Sequence, residues 1–155
     1  MIENEETIHK LYSALQTLDH KGMIQCYHPE ATFRDPVFEL NSKDEITGMW
    51  TMLCKSAKAF EFHYEDVWTV EDEGGAILNA EYLFSQTNRM VHNHIHARFK
   101  FKNRLIIEHV DTFDFWKWSR QALGFPGVVL GWSSLLQRKV QNQAYTNMKR
   151  FMREN

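Results

Sequence analysis

A chain of 155 residues, 43% hydrophobic and 14% aromatic, carries enough apolar material for one sizeable core and too little length for two ordinary domains. A net charge of -2 and a pI near 6.4 give no field that gathers phosphates, and no local basic stripe supplies one, so nucleic acid is not expected as a partner. No segment approaches the length of a membrane span, Met1 to Glu6 lack the basic and apolar parts of a signal peptide, and the two cysteines, Cys26 and Cys54, read as buried thiols, so a cytoplasmic protein with no membrane contact is expected.

Ile8, Leu11, Tyr12, Leu15 and Leu18 share one helical face, with Glu3, Glu5 and Glu6 complementing the dipole at its start; the pattern predicts a helix ending near Asp19. Lys21 to Tyr27 reads as a second short helix stopped by His28-Pro29, and Ala31 to Pro36 as a short strand ending at proline. Ser42 and Glu45 form a capping-box pair ahead of Ile46, Met49, Trp50 and Leu53, which predicts a helix from about Lys43 to Lys58. Phe60, Phe62, Tyr64, Trp68 and Val70 alternate with polar residues, as a strand with one buried face does. Asp72 to Gly75 is expected to turn it back, and Ala76 to Thr87, Met90 to Phe101 and Leu105 to Phe115 to continue the meander. A Gly-rich piece, Gly124 to Gly131, precedes an amphipathic helix from Ser134 to Arg153 that carries Leu136, Val140, Ala144, Met148 and Phe151 on one face. Helices followed by hairpins mean an α+β fold, and with no repeat or linker the whole of residues 1–155 is expected to form one domain.

Two stretches carry a family resemblance: Tyr27-His28-Pro29-Glu30-Ala31-Thr32-Phe33-Arg34-Asp35-Pro36-Val37, and the strand pair from Val91 to Trp116 that contains Glu108-His109-Val110-Asp111-Thr112-Phe113-Asp114. Over roughly residues 5–132 the chain resembles the SnoaL-like and nuclear-transport-factor-2-like superfamily. The resemblance implies a cone, a curved antiparallel sheet wrapped on N-terminal helices around an apolar pocket (a cystatin-like α+β roll), with residues from about 133 to 155 as an added C-terminal helix. It also implies a small apolar ligand in the pocket and a homodimer formed through the convex sheet face. The scaffold hosts many activities, so it does not name a reaction.

On the strand Met90 to Phe101, Val91, Asn93, Ile95, Ala97, Phe99 and Phe101 take one face and His92, His94, His96, Arg98 and Lys100 the other. Three alternating histidines can meet at a metal. A face that continues as Arg98 and Lys100 is instead a solvated or dimer-facing surface, so no metal site is expected. On the next strand His109, Asp111 and Phe113 share a face, which the resemblance turns toward the pocket. Asp111 then corresponds to the acid/base carboxylate of limonene-epoxide-hydrolase-like members, and Asp114 lies near the catalytic acid of polyketide cyclases. Asp111 also reads as a structural carboxylate bonded to His109 or an arginine. Asp35 matches the general base of ketosteroid-isomerase-like members, where partial desolvation raises the pKa and lets a carboxylate move protons beside a carbonyl. Asp-Pro equally starts turns.

Departures accompany these matches. The positions that hold an oxyanion in ketosteroid-isomerase-like members read Leu11 and Ala97, and Tyr12, one residue off, is expected to point elsewhere. The Arg and Asp that epoxide hydrolases need fall near Glu81 and Leu83. Trp50, Trp68, Tyr64, Tyr82, Phe99 and Phe113 either line a cavity for a flat apolar ligand, with Asn93, His109 and Asp114 beside it, or form plain core. Gly124 to Trp132 either closes a pocket mouth or forms a dimer arm or packed connection. No phosphate loop or covalent triad is present, so no cofactor is expected. The residues thus point to a cofactor-free acid/base enzyme of isomerase, cyclase or lyase type, with Asp35, Asp111 and His109 catalytic, on a small apolar carbonyl or polyketide-like compound. The alternative is a non-catalytic ligand-binding or protein-interaction module; an epoxide hydrolase fits less well.

Overall fold

The computed structural model describes residues 2–131 and 133–155. Helices α1 (Ile2–Gln16) and α2 (His20–Ile24) precede strands β1 (Tyr27–Arg34) and β2 (Glu39–Leu40), helix α3 (Lys43–Ser56) and strands β3 (Glu61–Val70), β4 (Glu73–Phe84), β5 (Arg89–Lys102) and β6 (Leu105–Thr112). Three helices close the chain: α4 (Phe115–Leu123), α5 (Phe125–Leu130) and α6 (Ser134–Glu154). The architecture is α+β, with the six strands in one open curved sheet of order β2-β1-β6-β5-β4-β3. The expected all-antiparallel pairing needs one correction: β1 runs parallel to β6, so the sheet is mixed. Among the described residues no helix is long and apolar enough to cross a membrane.

Tyr27 and Pro29 do not end a helix; they open β1. The β1–β6 register shifts between Tyr27 and Thr32, and Pro29, which has no N–H to give a ladder, sits in that irregularity. Gly74 and Gly75 lie inside β4 rather than in the turn, because the side chains above them leave no room for more than hydrogen. A Cβ on Gly74 would stand 3.1 Å from both Ile8 and Phe101, and one on Gly75 would stand 2.5 Å from the Trp68 indole nitrogen. The reversal falls to Glu71, with φ 54°, and Asp72.

Strand β3 does not keep one phase. Its pairing with β4 shifts between Glu65 and Trp68, and Asp66 takes φ 54°. The extra residue exchanges the two faces. Phe62 and Tyr64 point to the helices before the bulge and Val67 after it, while Trp68 and Val70 turn outward.

Helices α1 and α3 lay Ile8, Leu11, Tyr12, Leu15, Ile46, Met49 and Trp50 on the inner sheet face, where Phe33, Phe62, Leu78, Ala97, Phe99 and Ile106 complete the main core. A second cluster, formed by Val91, Phe115, Trp118 and Ala122 with Val37, Tyr82, Phe113 and Val140 packed against it, sits at the end of the sheet that α4 covers. Helix α6 crosses α3 and the β1–β2 turn. Met148 is fully buried there, a contribution of ~1.5–3 kcal/mol. Tyr145 donates to Glu45 Oε2 at 2.6 Å, and Gln137 and Gln141 both donate to the Pro36 carbonyl at 3.0 Å.

Candidate functional site

Strand alternation decides what faces the helices. Asn93, His109 and Asp111 occupy inward positions on the neighbouring strands β5 and β6 and are buried, His109 completely. Asp35 follows the last residue of β1 and opens the turn to β2. Its Oδ1 accepts the backbone N–H of Val37 at 2.7 Å and of Phe38 at 2.6 Å, while its own N–H donates to the Phe38 carbonyl at 2.9 Å. Two such bonds favour the charged carboxylate, but loss of hydration opposes them. The residue as a whole is half-buried, yet protein surrounds its carboxyl closely enough for desolvation to win. Burial first, then the negative charge of Asp111, push its pKa up to about 7, against the pull of the Phe38 and Val37 N–H groups.

A line of polar side chains runs behind Asp111. Trp50 Nε1 donates to the Tyr27 hydroxyl at 3.1 Å, that hydroxyl lies 2.8 Å from His109 Nδ1, and His109 Nε2 lies 2.8 Å from Asp111 Oδ1. Phe33 and Phe99 enclose the imidazole, with ring centroids 4.8 and 4.5 Å away. Tyr12 corrects the sequence expectation. It does not point elsewhere but lies fully buried among Phe62, Tyr64 and Phe99, because positions 8, 11, 12 and 15 all fall within the wide apolar face of α1. Its hydroxyl has no hydrogen-bond partner among the described residues, and burial, followed by the charges of Asp111 and Tyr27, raises its pKa well above the ordinary phenol value. Tyr82 receives the Trp118 Nε1–H at 2.8 Å, and burial pushes its pKa up to about 12, with the Asp35 charge adding to the rise.

The remaining candidate residues divide. Trp50 and Phe99 pack directly around the His109 line, and Phe113 lies in the second cluster with Val37 and Tyr82. Asn93, 7% exposed, lies on the inner face of β5 opposite Ala80 of β4. Tyr64 lies apart from the carboxyls, between α1 and β3, with its hydroxyl 3.0 Å from His9 Nδ1. Trp68 is outside altogether. The β3 bulge turns it to the outer face, where Arg98 stacks on it at 5.4 Å. Asp114 is likewise exposed; β6 ends before it, and its Oδ1 caps α4 by accepting the Lys117 N–H at 3.1 Å. Glu81 also faces outward, paired with His92 at 3.1 Å. His94 Nδ1 meets Asn79 Oδ1 at 2.9 Å, and no group of three metal-ligating side chains forms among the described residues. Cys26 and Cys54 are free buried thiols, and burial pushes each pKa up to about 11.

A cleft of about 210 Å³ opens beside Asp35, between the β1–β2 turn and α6, and is lined by Arg34, Asp35, Val37, Phe38, Gln141 and Tyr145 among others. A larger surface hollow of about 410 Å³ runs along Leu135, Arg138, Lys139 and Thr146 of α6 and includes none of the candidate residues. The Gly-rich segment forms α5 and packs against α4, where Trp116 Nε1 donates to the Val128 carbonyl at 3.3 Å; Trp132 lies outside the described residues. Sequence reasoning missed Tyr27, read as helical, and Trp118, Gln137 and Gln141. Asp114 followed by Phe115, Trp118 and Ala122 at helical spacing is the signal that finds α4.

The sequence profile of the SnoaL-like domain matches residues 8–109, well over half of the chain and including the whole Tyr27–Trp50–His109 line. The chain belongs to the SnoaL-like domain family. A search of the curated proteins finds no match. Among solved structures, this SnoaL-like chain is similar to AclR from Streptomyces galilaeus, assigned as a hydroxylase, at 17% identity and TM-score 0.66, covering 90% of this chain and 99% of that one. It is similar to a SnoaL-like protein from Shewanella putrefaciens assigned as a polyketide cyclase (20% identity, TM-score 0.65, 79% and 87% covered) and to an LEH-like epoxide hydrolase of M. tuberculosis (13%, 0.66, 88% and 96%). Identities this low establish the shared fold and leave the activity to the site.

Proposed function

We propose that this SnoaL-like protein is a cofactor-free acid/base enzyme of isomerase, cyclase or lyase type, acting on a small apolar carbonyl or polyketide-like compound. The observation that supports it is the pairing of two unlike carboxyls: Asp35, whose pKa is pushed up to about 7 beside a cleft, within the electrostatic reach of Asp111, which is fixed by His109. A carboxyl with a pKa near the working pH both takes and returns a proton. The Tyr12 hydroxyl, without a hydrogen-bond partner among the described residues, and the inward Asn93 amide supply donors for a carbonyl or enolate oxygen. A small apolar ligand is favoured by the aromatic side chains around His109, namely Phe33, Phe99 and Trp50, whereas the cleft beside Asp35 is itself lined mainly by polar residues, among them Arg34, Glu39, Gln141 and Asn142. Two copies pair through the outer sheet face that carries His92, His94 and His96. The outward Glu81 argues against the epoxide-hydrolase trio.

The second reading, a non-catalytic binding or interaction module, draws on one observation: Asp35 Oδ1 already accepts two backbone N–H groups, which suits a turn as well as a base. Deuterium uptake next to the carbonyl of a panel of apolar cyclic ketones, followed by NMR in heavy water, separates the two. The enzymatic reading expects uptake that Asp35→Asn and Asp111→Asn each abolish in folded protein. Uptake surviving both substitutions, or ketone binding without uptake, overturns it.

A further inference from the structure

The line behind Asp111 has a direction that its donors and acceptors settle. An indole N–H only donates, so Trp50, 3.1 Å from the Tyr27 oxygen, makes that oxygen an acceptor. The single phenol proton then goes to the neighbour on the other side, His109 Nδ1 at 2.8 Å. A ring nitrogen that accepts carries no proton, so the imidazole proton sits on Nε2 and is donated to Asp111 Oδ1 at 2.8 Å. The reverse order strands a proton: with Nδ1–H pointing at Tyr27, the phenol hydrogen has no acceptor among the described residues, in a place where both rings are fully buried. An orphaned buried donor costs ~1–3 kcal/mol.

We propose that Trp50 and Tyr27 are positioning residues that hold His109 as the Nε2–H tautomer, so that His109 orients Asp111 and does not itself carry the reaction's proton. Proton transfer is thereby confined to the two carboxyls, Asp35 and the oxygen of Asp111 that His109 leaves free. This narrows the sequence reading, in which His109 stands with them as catalytic. It rests on the acid/base reading for its purpose, but not for its observable. The groups facing the line are Tyr27 and Phe33 from β1, Trp50 from α3, Phe99 from β5 and Asp111 from β6. Tyr12 of α1 and Asp35 lie within electrostatic reach of Asp111, and Lys43 Nζ is bonded to the Tyr27 carbonyl at 3.0 Å.

The test is nitrogen-15 NMR of the His109 ring across a pH series, on the intact protein. In the native protein at alkaline pH, Nδ1 appears as the unprotonated nitrogen and Nε2 as the protonated one. Trp50→Phe removes the donor that fixes the Tyr27 hydroxyl, so the hydroxyl turns more freely, the Nδ1–H tautomer becomes populated, and the two ring-nitrogen resonances move toward one another. A native ring protonated on Nδ1 alone, or ring-nitrogen resonances that Trp50→Phe leaves in place, overturns the proposal. Should Trp50→Phe not fold, Tyr27→Phe reports through the Nδ1 resonance, which moves downfield as its donor is lost; an unmoved resonance is equally fatal. A line polarised as described in a protein that exchanges no ketone proton supports the tautomer assignment and overturns the acid/base reading alone.

Discussion

The carboxyl of Asp35 accepts the backbone N–H of Phe38 at 2.6 Å and still holds its proton to about pH 7. Burial therefore outweighs two short hydrogen bonds, and the consequence for stability has a definite sign. An unfolded aspartate ionises near pH 4, so between there and about pH 7 the folded chain binds the extra proton and loses stability as the pH rises. Asp35→Asn keeps the acceptor for Val37 and Phe38 without the charge. The expected outcome is a variant that nearly matches the native protein at pH 4 and exceeds it at pH 8 by about 4 kcal/mol, read from urea unfolding at the two pH values. A gap that does not widen with pH is the contrary result.

His109 is wholly buried and spends its Nε2 on Asp111. Asp111→Ala strands that N–H and is expected to cost ~1–3 kcal/mol in thermal unfolding, whereas Asp111→Asn, which still offers an oxygen, costs less. Equal losses for the two substitutions would separate Asp111 from the His109 line.

Helix α6 holds the turn that carries Asp35 through a single carbonyl, that of Pro36, shared by Gln137 and Gln141. Replacing both glutamines with alanine removes roughly 0.5–1.5 kcal/mol per bond. It is also expected to speed amide exchange in α6 and the labelling of Asp35 by a water-soluble carbodiimide with glycine ethyl ester, several-fold against surface glutamates in the same digest. Unchanged labelling means that α6 does not restrict the approach to Asp35.

Trp118 gives its N–H to Tyr82 and packs its ring on Phe84 at 5.4 Å, joining α4 to β4. Trp118→Phe is expected to lower stability by about 1–2 kcal/mol, and Tyr82→Phe added to it should cost little more, because the bond they share is already gone. Additive losses in that cycle would show that the bond contributes nothing.

The parts of this fold that were legible in the sequence are those that local pattern controls. The Ser42–Glu45 cap starts α3 where expected, with Ser42 Oγ accepting the Glu45 N–H at 3.2 Å, and alternation set Asn93 on the apolar face of β5 and His109 with Asp111 on one face of β6, which the family resemblance turned inward. Illegible parts depended on contacts distant in sequence or on one misplaced residue. Tyr27 keeps helical spacing with Met23 and Ile24, yet it joins β6, 79 residues along at Ile106, because that strand offers it a parallel partner. One bulge at Asp66 carried Trp68 from the expected lining to the outer face, and one cap turned Asp114 from a candidate acid into the start of a helix. The packing of Tyr12 on Phe62, Tyr64 and Phe99, the Trp50–Tyr27–His109 line and the glutamine grip on Pro36 each join residues from separate elements, which no local pattern announces.

The measurement that bears most directly on the account is a carbon-13 titration of the Asp35 carboxyl, in the native protein and in Asp111→Asn. A midpoint near 7 that falls when the Asp111 charge is removed is the expected result. A native midpoint near the ordinary value of about 4, indifferent to Asp111, would contradict it and leave Asp35 as a turn residue.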